Sequence, residues 1–240
     1  MPILKKQQGI IPLFVLIAIG IALLVGGTYI IRNEFIKTGK SGKSAIDEKK
    51  VKQQIANPLA LPSLSPSPKI ELAQSRYTYE PQKLGQDVKA PKFTINPPSA
   101  WNKRSATQGN EVVTFEAPEE DKEEAEDNLV VRLKPVVSVY LAKSPQSGTL
   151  DDLMKVAKSS SEKTFEKVEY LADTKTKFAG LDSVFIEAKA LKQGVTIHTN
   201  DYYLVKDSYW VHVAGSSLDS TWSKWSGVIK ASMNSFTFVE

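Results

Sequence analysis

The chain has 240 residues and a formal net charge of +4, and it contains no cysteine, which excludes disulfides, thiolate metal sites and thiol nucleophiles. The charge is unevenly distributed, because residues 1–85 carry 12 basic against 5 acidic side chains and residues 86–240 carry 19 against 22. The second part is therefore slightly acidic and lacks the basic stripe that a phosphate backbone requires, which argues against nucleic-acid binding.

The first predicted element is a transmembrane helix over residues 10–31, preceded by a short tail of residues 1–9. The run has 22 residues without a charged side chain, and a bilayer core needs about 20 apolar helical residues. A cleaved signal peptide is the main alternative, but the run exceeds the usual apolar core of about 7–15 residues, and no A-x-A-like site follows. The leader KKQQG also resembles that of type IV pilin-like proteins, although Phe14 stands where those proteins place a glutamate.

Residues 32–90 are predicted to be a basic, Pro/Ser-rich linker, a disordered stalk that separates a folded domain from the membrane. The stretch NPLALPSLSPSPK at residues 57–69 contains four prolines and favours extended conformations. KTGKSGKS at residues 37–44 is similar to a phosphate-binding loop, but Lys37 stands where that motif needs a glycine. We therefore expect no nucleotide site here.

The charges beside the predicted transmembrane helix leave its orientation open. Seven basic residues follow it closely: Arg32, Lys37, Lys40, Lys43, Lys49, Lys50 and Lys52. The positive-inside rule alone places them in the cytoplasm. A short tail with two lysines before a long apolar run is, by contrast, typical of an uncleaved signal anchor. We expect a single-pass cell-membrane protein with an extracytoplasmic C-terminal domain.

From residue 91 onwards the sequence alternates apolar and polar residues as β-strands do. The first predicted strand, Lys92–Asn96, ends at two prolines, and EVVTFEAP at residues 111–118 is the second. NLVVRLKPVVSVYLAK at residues 128–143 is predicted to be one long strand, in which Pro135 implies an edge position or a bulge. We expect residues 119–127, between these strands, to form a mobile acidic loop.

Two helices and two hairpins complete the predicted domain of residues 91–240. Thr149 is a suitable N-cap for the first helix, whose first turn carries two aspartates. Strand pairs are expected around Gly180 and around Lys206–Ser208, and a second helix begins near Asp219. Strands, a helix, further strands and a last helix predict an α+β fold with helices packed on an antiparallel sheet.

This layout resembles the PsbP-like family, an αβα sandwich, over roughly residues 76–240. The resemblance lies in FTINPPSAW, VVTFEAP, GTLDDLMK, KFAGLDSVFIEAK, YYLVKDSYWVHVAG and SFTFV. The photosynthetic member of that family is a non-enzymatic extrinsic subunit of photosystem II, and many bacterial members are membrane-tethered. The resemblance therefore implies a scaffold that binds a partner outside the cytoplasm, and it supplies no catalytic residue. Because no lipobox cysteine is present, a spanning helix would replace a lipid anchor.

The chain contains only two histidines, so few metal or acid–base sites can be built. In the expected hairpin, His212 lies opposite Tyr203 and His198 lies opposite Ser217. The two histidines are then about 16 Å apart, which is too far to share a metal ion. We expect each to make a local hydrogen bond, and no nucleophile elbow, H-E-x-x-H motif or other catalytic or cofactor-binding motif is present.

The acidic stretch EEDKEEAED at residues 119–127 is the one candidate metal site. Calcium takes about six to eight oxygen ligands, but the stretch lacks the D-x-D-x-D-G spacing that organises them, and a run of like charges usually stays solvated. A solvated loop is the main interpretation, and weak Ca²⁺ binding is the alternative. The candidate ligands are Glu119, Glu120, Asp121, Glu123, Glu124, Glu126 and Asp127.

These features together predict a non-enzymatic, membrane-anchored, extracytoplasmic binding or assembly module. Its expected partners are the lipid bilayer, through residues 10–31, and another envelope protein or complex. A hydrolytic or ligand-processing enzyme and a pilin-like structural subunit are the alternatives. An enzyme should show a concave pocket with convergent titratable groups, whereas a binding module should show a shallow patch.

Protease treatment of intact cells tests the predicted orientation. We expect an external protease to digest the C-terminal domain, since the signal-anchor interpretation places this domain outside the membrane. Immunoblotting with an antibody against the domain measures the loss. Survival of the domain, while a known external control protein is cleaved, would contradict the external orientation.

Overall fold

The computed structural model describes Leu72 and residues 76–81, 89–105, 110–125, 130–144 and 149–240. The predicted tail of residues 1–9 and transmembrane helix of residues 10–31 lie outside the described residues, as does most of the predicted linker. Neither helix in the described part of the chain has the length and apolar character needed to cross a membrane.

The described residues form twelve strands and two α-helices. The strands are β1 (Tyr77–Tyr79), β2 (Lys92–Ile95), β3 (Asn102–Ser105), β4 (Glu111–Glu116), β5 (Asp121–Glu124), β6 (Val130–Leu133), β7 (Val136–Lys143), β8 (Lys167–Phe178), β9 (Leu181–Lys192), β10 (Val195–Lys206), β11 (Tyr209–Leu218) and β12 (Thr237–Val239). The helices are α1 (Leu150–Thr164) and α2 (Trp222–Asn234), and a 3₁₀ turn at Asp219–Thr221 precedes α2.

The strands form three antiparallel groups. Seven strands make the main sheet in the order β3-β4-β7-β11-β10-β9-β8. A smaller sheet has the order β1-β2-β12, and β5 pairs with β6 as a separate hairpin. A mostly antiparallel sheet with two helices confirms the α+β prediction.

The two helices cover opposite faces of the main sheet. Val139 of β7 packs in one apolar cluster with Ile229 and Met233 of α2, and the small sheet joins this cluster through Phe93. Tyr140, the next residue along β7, packs in a different cluster that contains α1. Because neighbouring residues of a strand project to opposite faces, the sheet lies between two covering layers.

Helix α1 begins where the sequence predicts. Thr149 is its N-cap, and its hydroxyl oxygen accepts a hydrogen bond from the backbone N–H of Asp152 at 3.2 Å. The Asp152 carboxylate in turn accepts one from the backbone N–H of Thr149 at 3.0 Å. This reciprocal capping satisfies two N–H groups that a helix start otherwise leaves unpaired. Leu153 and Ala157 then face the sheet.

Two-residue turns join the four strands from β8 to β11. Their residues are Ala179–Gly180, Gln193–Gly194 and Asp207–Ser208, all with positive φ. Turns with positive φ at both positions match the right-handed twist of the flanking strands, which explains the tight hairpins. The resulting register places His212 opposite Tyr203 and His198 opposite Ser217 and confirms the predicted pairing.

Two predictions for residues 119–143 are wrong. The long strand is divided into β6 and β7, because Pro135 has no N–H for the ladder, and its carbonyl instead accepts from Ala117 N at 2.9 Å. Strand β6 leaves the main sheet and pairs with β5. Part of the stretch expected to be a mobile loop, Asp121–Glu124, is therefore a paired strand.

The stretch FTINPPSAW contains the second strand of the domain. Phe93 and Ile95 are fully buried on β2, whose partner β1 was not predicted. After the prolines, the backbone N–H of Trp101 donates to the carbonyl of Pro98 at 3.3 Å, and this turn leads into β3. The Trp101 ring meets the Trp225 ring of α2 edge-on, with 5.9 Å between centroids.

Gly215 on β11 permits the close packing of α2 on the sheet. A β-carbon at this position would lie 2.8 Å from the Sδ atom of Met233, and closer still to Cγ2 of Ile229. Both side chains are almost completely buried, so neither can move away freely. The helix can therefore approach this strand only because residue 215 has no side chain.

We expect Gly215→Ala to lower the free energy of unfolding by about 1–3 kcal/mol, the usual cost of overpacking a core. Urea denaturation followed by tryptophan fluorescence measures the change, since Trp222 and Trp225 lie on the displaced helix. Gly180→Ala is the control, because no atom lies within 4 Å of its added β-carbon and only its backbone strain changes. A Gly215→Ala variant that is as stable as the unsubstituted chain would contradict the packing explanation.

Candidate functional sites

The acidic hairpin is attached to the start of α2. Asp121 is buried, and its Oδ2 atom accepts hydrogen bonds from Thr221 Oγ1 and from the indole N–H of Trp225, both at 2.7 Å. These bonds join residues about a hundred positions apart in the sequence. Asp121 is therefore a structural link between β5 and α2.

The other candidate Ca²⁺ ligands point to different partners. Glu119 pairs with Lys224 at 3.3 Å, Glu120 lies 3.9 Å from Arg132, and Glu123 accepts a hydrogen bond from Ser220. Glu124 is exposed, while Glu126 and Asp127 lie outside the described residues. Within the described ranges, no group of three or more histidine, aspartate or glutamate side chains could hold a metal ion.

His198 joins two carboxylates at the corner where β11 leads into α2. Its Nδ1 atom lies 2.9 Å from Asp219 Oδ1, and its Nε2 atom lies 2.9 Å from Glu187 Oε1. The ring is buried beneath Trp222, with which it stacks at 4.1 Å. The ring therefore bridges the Glu187 carboxylate of β9 and the Asp219 carboxylate of the 3₁₀ turn.

Two lysines complete this charged corner. Lys189 lies 3.0 Å from Asp219 Oδ2, and Lys230 of α2 lies 3.6 Å from Glu187 Oε1. Burial opposes ionisation of both carboxyl groups, but the hydrogen bonds from His198 and the nearby lysine charges outweigh it and lower the pKa of Glu187 and of Asp219. The carboxylates are thus stabilised in their charged form.

His212 lies in a buried row of aromatic rings on the opposite face of the sheet. It stacks on Tyr203 at 4.3 Å and on Tyr140 at 5.1 Å, and its Nε2 atom lies 2.7 Å from Asp201 Oδ1. Burial raises the pKa of both tyrosines. Among the described residues, the other ring nitrogen of His212 has no hydrogen-bond partner, so no nucleophile is coupled to this pair.

Glu111 extends the row at its β4 end. It lies directly opposite Tyr140 and is buried, and its Oε1 atom accepts a hydrogen bond from Thr114 Oγ1 at 2.8 Å and lies 3.3 Å from Arg104. Burial raises the pKa of Glu111, against the lowering effects of Thr114 and Arg104. The described side chains of this row contact one another and neighbouring residues of the domain, as in a polar core.

An open groove lies at the end of the domain formed by the two hairpin turns. It has a volume of about 450 Å³ and is lined by β12, the β8–β9 and β10–β11 turns and residues 90–92. Two lysines, Lys92 and Lys206, and two acidic residues, Asp207 and Glu240, provide charges, and Leu181 and Val239 provide apolar surface. No histidine, serine or cysteine is among the described residues that line it. The groove therefore offers backbone, apolar and charged contacts without a nucleophile–base pair.

Sequence reasoning located the histidines but missed their partners. Asp219 follows two residues after Ser217, which the predicted register already placed opposite His198, so this neighbour could have been found. Asp201 is diagonal to His212 across the same hairpin, since it pairs with Ala214. Predicting Glu187 as a partner of His198 would have required the register between β9 and β10. Predicting the groove would have required the position of β12, which pairs with a strand far away in the sequence.

The sequence matches no protein-family model, and it matches none of the curated proteins with which it was compared. Among solved structures, it is similar to LpqN of Mycobacterium tuberculosis, described as involved in cell envelope biogenesis, with 9% identity and a TM-score of 0.51 over 69% of this chain and 91% of LpqN. It is also similar to cyanobacterial PsbP (CyanoP) from Synechocystis sp. PCC 6803, with 15% identity and a TM-score of 0.46 over 69% and 93% of the two chains. The similarity to LpqN, whose fold is PsbP-like, confirms the predicted resemblance as one of fold.

The His198 bridge should make stability depend on pH. The pKa of an unfolded carboxyl group is about 3.9–4.3. A carboxyl group whose pKa is lowered by folding stabilises the fold at pH values above this range. The contribution is lost as the pH falls through the lowered pKa of the folded state. We expect His198→Gln to lose about 1–3 kcal/mol at pH 7 and less at an acidic pH below the lowered folded-state pKa of Glu187 and Asp219, where both carboxyl groups are protonated. Urea denaturation at both pH values measures the difference.

Lys177→Gln is the control, because it removes an ion pair with Asp182 in which both side chains are about three-quarters exposed, at 76% and 73%. We expect it to change stability little at either pH. A loss in His198→Gln that is the same at pH 7 and at the acidic pH would contradict a role for the ionised carboxylates of Glu187 and Asp219.

Proposed function

We propose that this chain is a non-enzymatic binding or assembly module, anchored in the cell membrane through residues 10–31 and displayed on the extracytoplasmic side. The folded domain would bind the partner, and the linker would hold the domain at a distance from the membrane. Residues 10–31 supply the apolar length that a spanning helix needs.

The groove beside β12 is the observation that carries this proposal. The groove is a concavity with exposed backbone and apolar surface. The titratable groups that line it are two lysines, Asp207 and Glu240. Neither histidine lines the groove. His198 lies between two carboxylates, and His212 stacks on an aromatic ring in the core. An enzyme would need convergent acid–base or nucleophilic groups at its pocket, whereas a binding surface needs none.

The fold supports the same proposal. LpqN shares it and is involved in cell envelope biogenesis, and a role at the cell envelope is what we propose for this chain. A module of this kind needs a rigid domain with one accessible surface. The two-sided burial of the main sheet provides the rigidity.

Photo-cross-linking in intact membranes tests the proposed function. A photoreactive amino acid replaces one exposed residue at a time in the full-length chain: Leu171, Val205, Lys224 and Val239. We expect a discrete cross-linked product from at least one position, competed by excess purified domain, because a binding surface contacts its partner only where it docks. A pattern that is the same at all four positions, or no competed product at any of them, would contradict the proposal.

A further inference from the structure

We propose that the groove beside β12 binds a short extended peptide segment, which adds as a fourth strand to the sheet β1-β2-β12, and that Lys92 attracts an acidic side chain of that segment. The inference rests on the proposed function and names the class of partner. It concerns one surface only, so it can fail while the domain still proves to be a binding module.

Strand β12 lines the groove and is an edge strand of the small sheet. It pairs on one side with β2, where Thr237, Phe238 and Val239 lie opposite Thr94, Phe93 and Lys92. On its other side no strand of the described residues follows. Unpaired N–H and C=O groups at a sheet edge are a template for a further strand, and peptides are commonly recognised in this way.

The edges of the main sheet are protected, whereas β12 is not. Edge strand β8 carries Lys167, Lys175 and Lys177, and its register shifts at Leu171 as in a β-bulge. The opposite edge, β3, carries Lys103 and Arg104. Charged side chains and bulges prevent unwanted strand pairing. The sequence of β12, Thr-Phe-Val, has neither a charge nor a proline.

The edge is held rigidly in position. The hydroxyls of Thr94 and Thr237 lie 2.9 Å apart, and the Phe238 ring packs edge-on against the buried Phe236 at 5.1 Å. Just before β12, Ser235 Oγ accepts a hydrogen bond from the backbone N–H of Asn96 at 2.7 Å. A strand held in this way loses little conformational entropy when it binds, which favours association.

The side chains around the groove define the chemistry of the peptide. Val239 is 42% exposed and offers an apolar contact. Lys92 is exposed, lies directly opposite Val239, and has no acidic partner among the described residues. The Lys206 ammonium is only loosely paired, 3.6 Å from Asp207. A segment in which apolar and acidic residues alternate would place one set on the apolar surface and the other beside the lysines.

The length of β12 limits the size of the contact. Three paired residues span about 10 Å, so we expect recognition of a short segment with modest affinity. A groove of about 450 Å³ is within the range of small binding sites.

Peptide titration of the full-length chain in lipid nanodiscs tests the inference. The probe is a fluorescein-labelled hexapeptide of alternating valine and glutamate, and fluorescence anisotropy measures its binding. Two control peptides replace glutamate by lysine or carry N-methyl groups that remove backbone donors. We expect both controls to bind about tenfold more weakly or worse, since each loses charge attraction or strand hydrogen bonds. Equal binding of the N-methylated peptide would overturn strand addition.

Matched substitutions locate the site. We expect Val239→Glu, which replaces the apolar contact by a negative charge, and Lys92→Glu to reduce binding of the glutamate peptide. Lys92→Glu should also improve binding of the lysine peptide. Leu171→Glu and Lys167→Glu on β8 are the controls and should leave binding unchanged. Circular dichroism of each variant verifies that it is folded.

Two results would overturn the inference. One is equal binding of the glutamate peptide by all four variants. The other is concentration-dependent self-association of the unmodified chain that Val239→Glu abolishes, because the edge would then bind a second copy. After either result, the proposed function would still be supported by a cross-linked product from Leu171, Val205 or Lys224 that excess purified domain competes away.

Discussion

The structure depends on burying both faces of the central strands. Nearly every residue of β7 and β11 is buried, so each face of the main sheet needs its own covering layer. Helix α1 covers one face, and α2 with the small sheet covers the other. Gly215 lets α2 approach closely enough to exclude water. The remaining features, including the charged corner and the groove, are located where these layers meet or end.

The charges of the domain serve mainly to join its layers. Asp121 links the hairpin to α2, and His198 links Glu187 of the sheet to Asp219 of the turn before that helix. Buried charges are costly unless they are paired and hydrogen-bonded, and in this corner they are both. The acidic stretch that suggested calcium binding is thus partly used in folding. The two histidines likewise contact carboxylates and aromatic rings within the domain.

Local signals in the sequence were sufficient to predict the hairpins and the first helix. Turn residues such as Asp207 and Gly180 set the register, and Thr149 marked the helix start, because these effects act over a few neighbouring residues. The strand β5 was missed because seven carboxylates within nine residues indicate a solvated loop. Its pairing with β6 and the bond from Trp225 to Asp121 are contacts that this local pattern does not contain. Strand β1 is three residues long and too short to give a clear period. The charged corner and the groove depend on contacts between distant strands, which no local pattern contains.

The pairing of β2 with β12 has a consequence for how the domain is made. Thr94 and Thr237 are 143 positions apart, so the small sheet cannot close until the ribosome has added β12. Until then the apolar side chains of β2, which the closed fold buries completely, lack part of their cover. Contacts of such long sequence separation also form slowly. The folding of this layer therefore has to wait for the synthesis of β12, and a product truncated before β12 would expose the apolar surface that chaperones and proteases recognise.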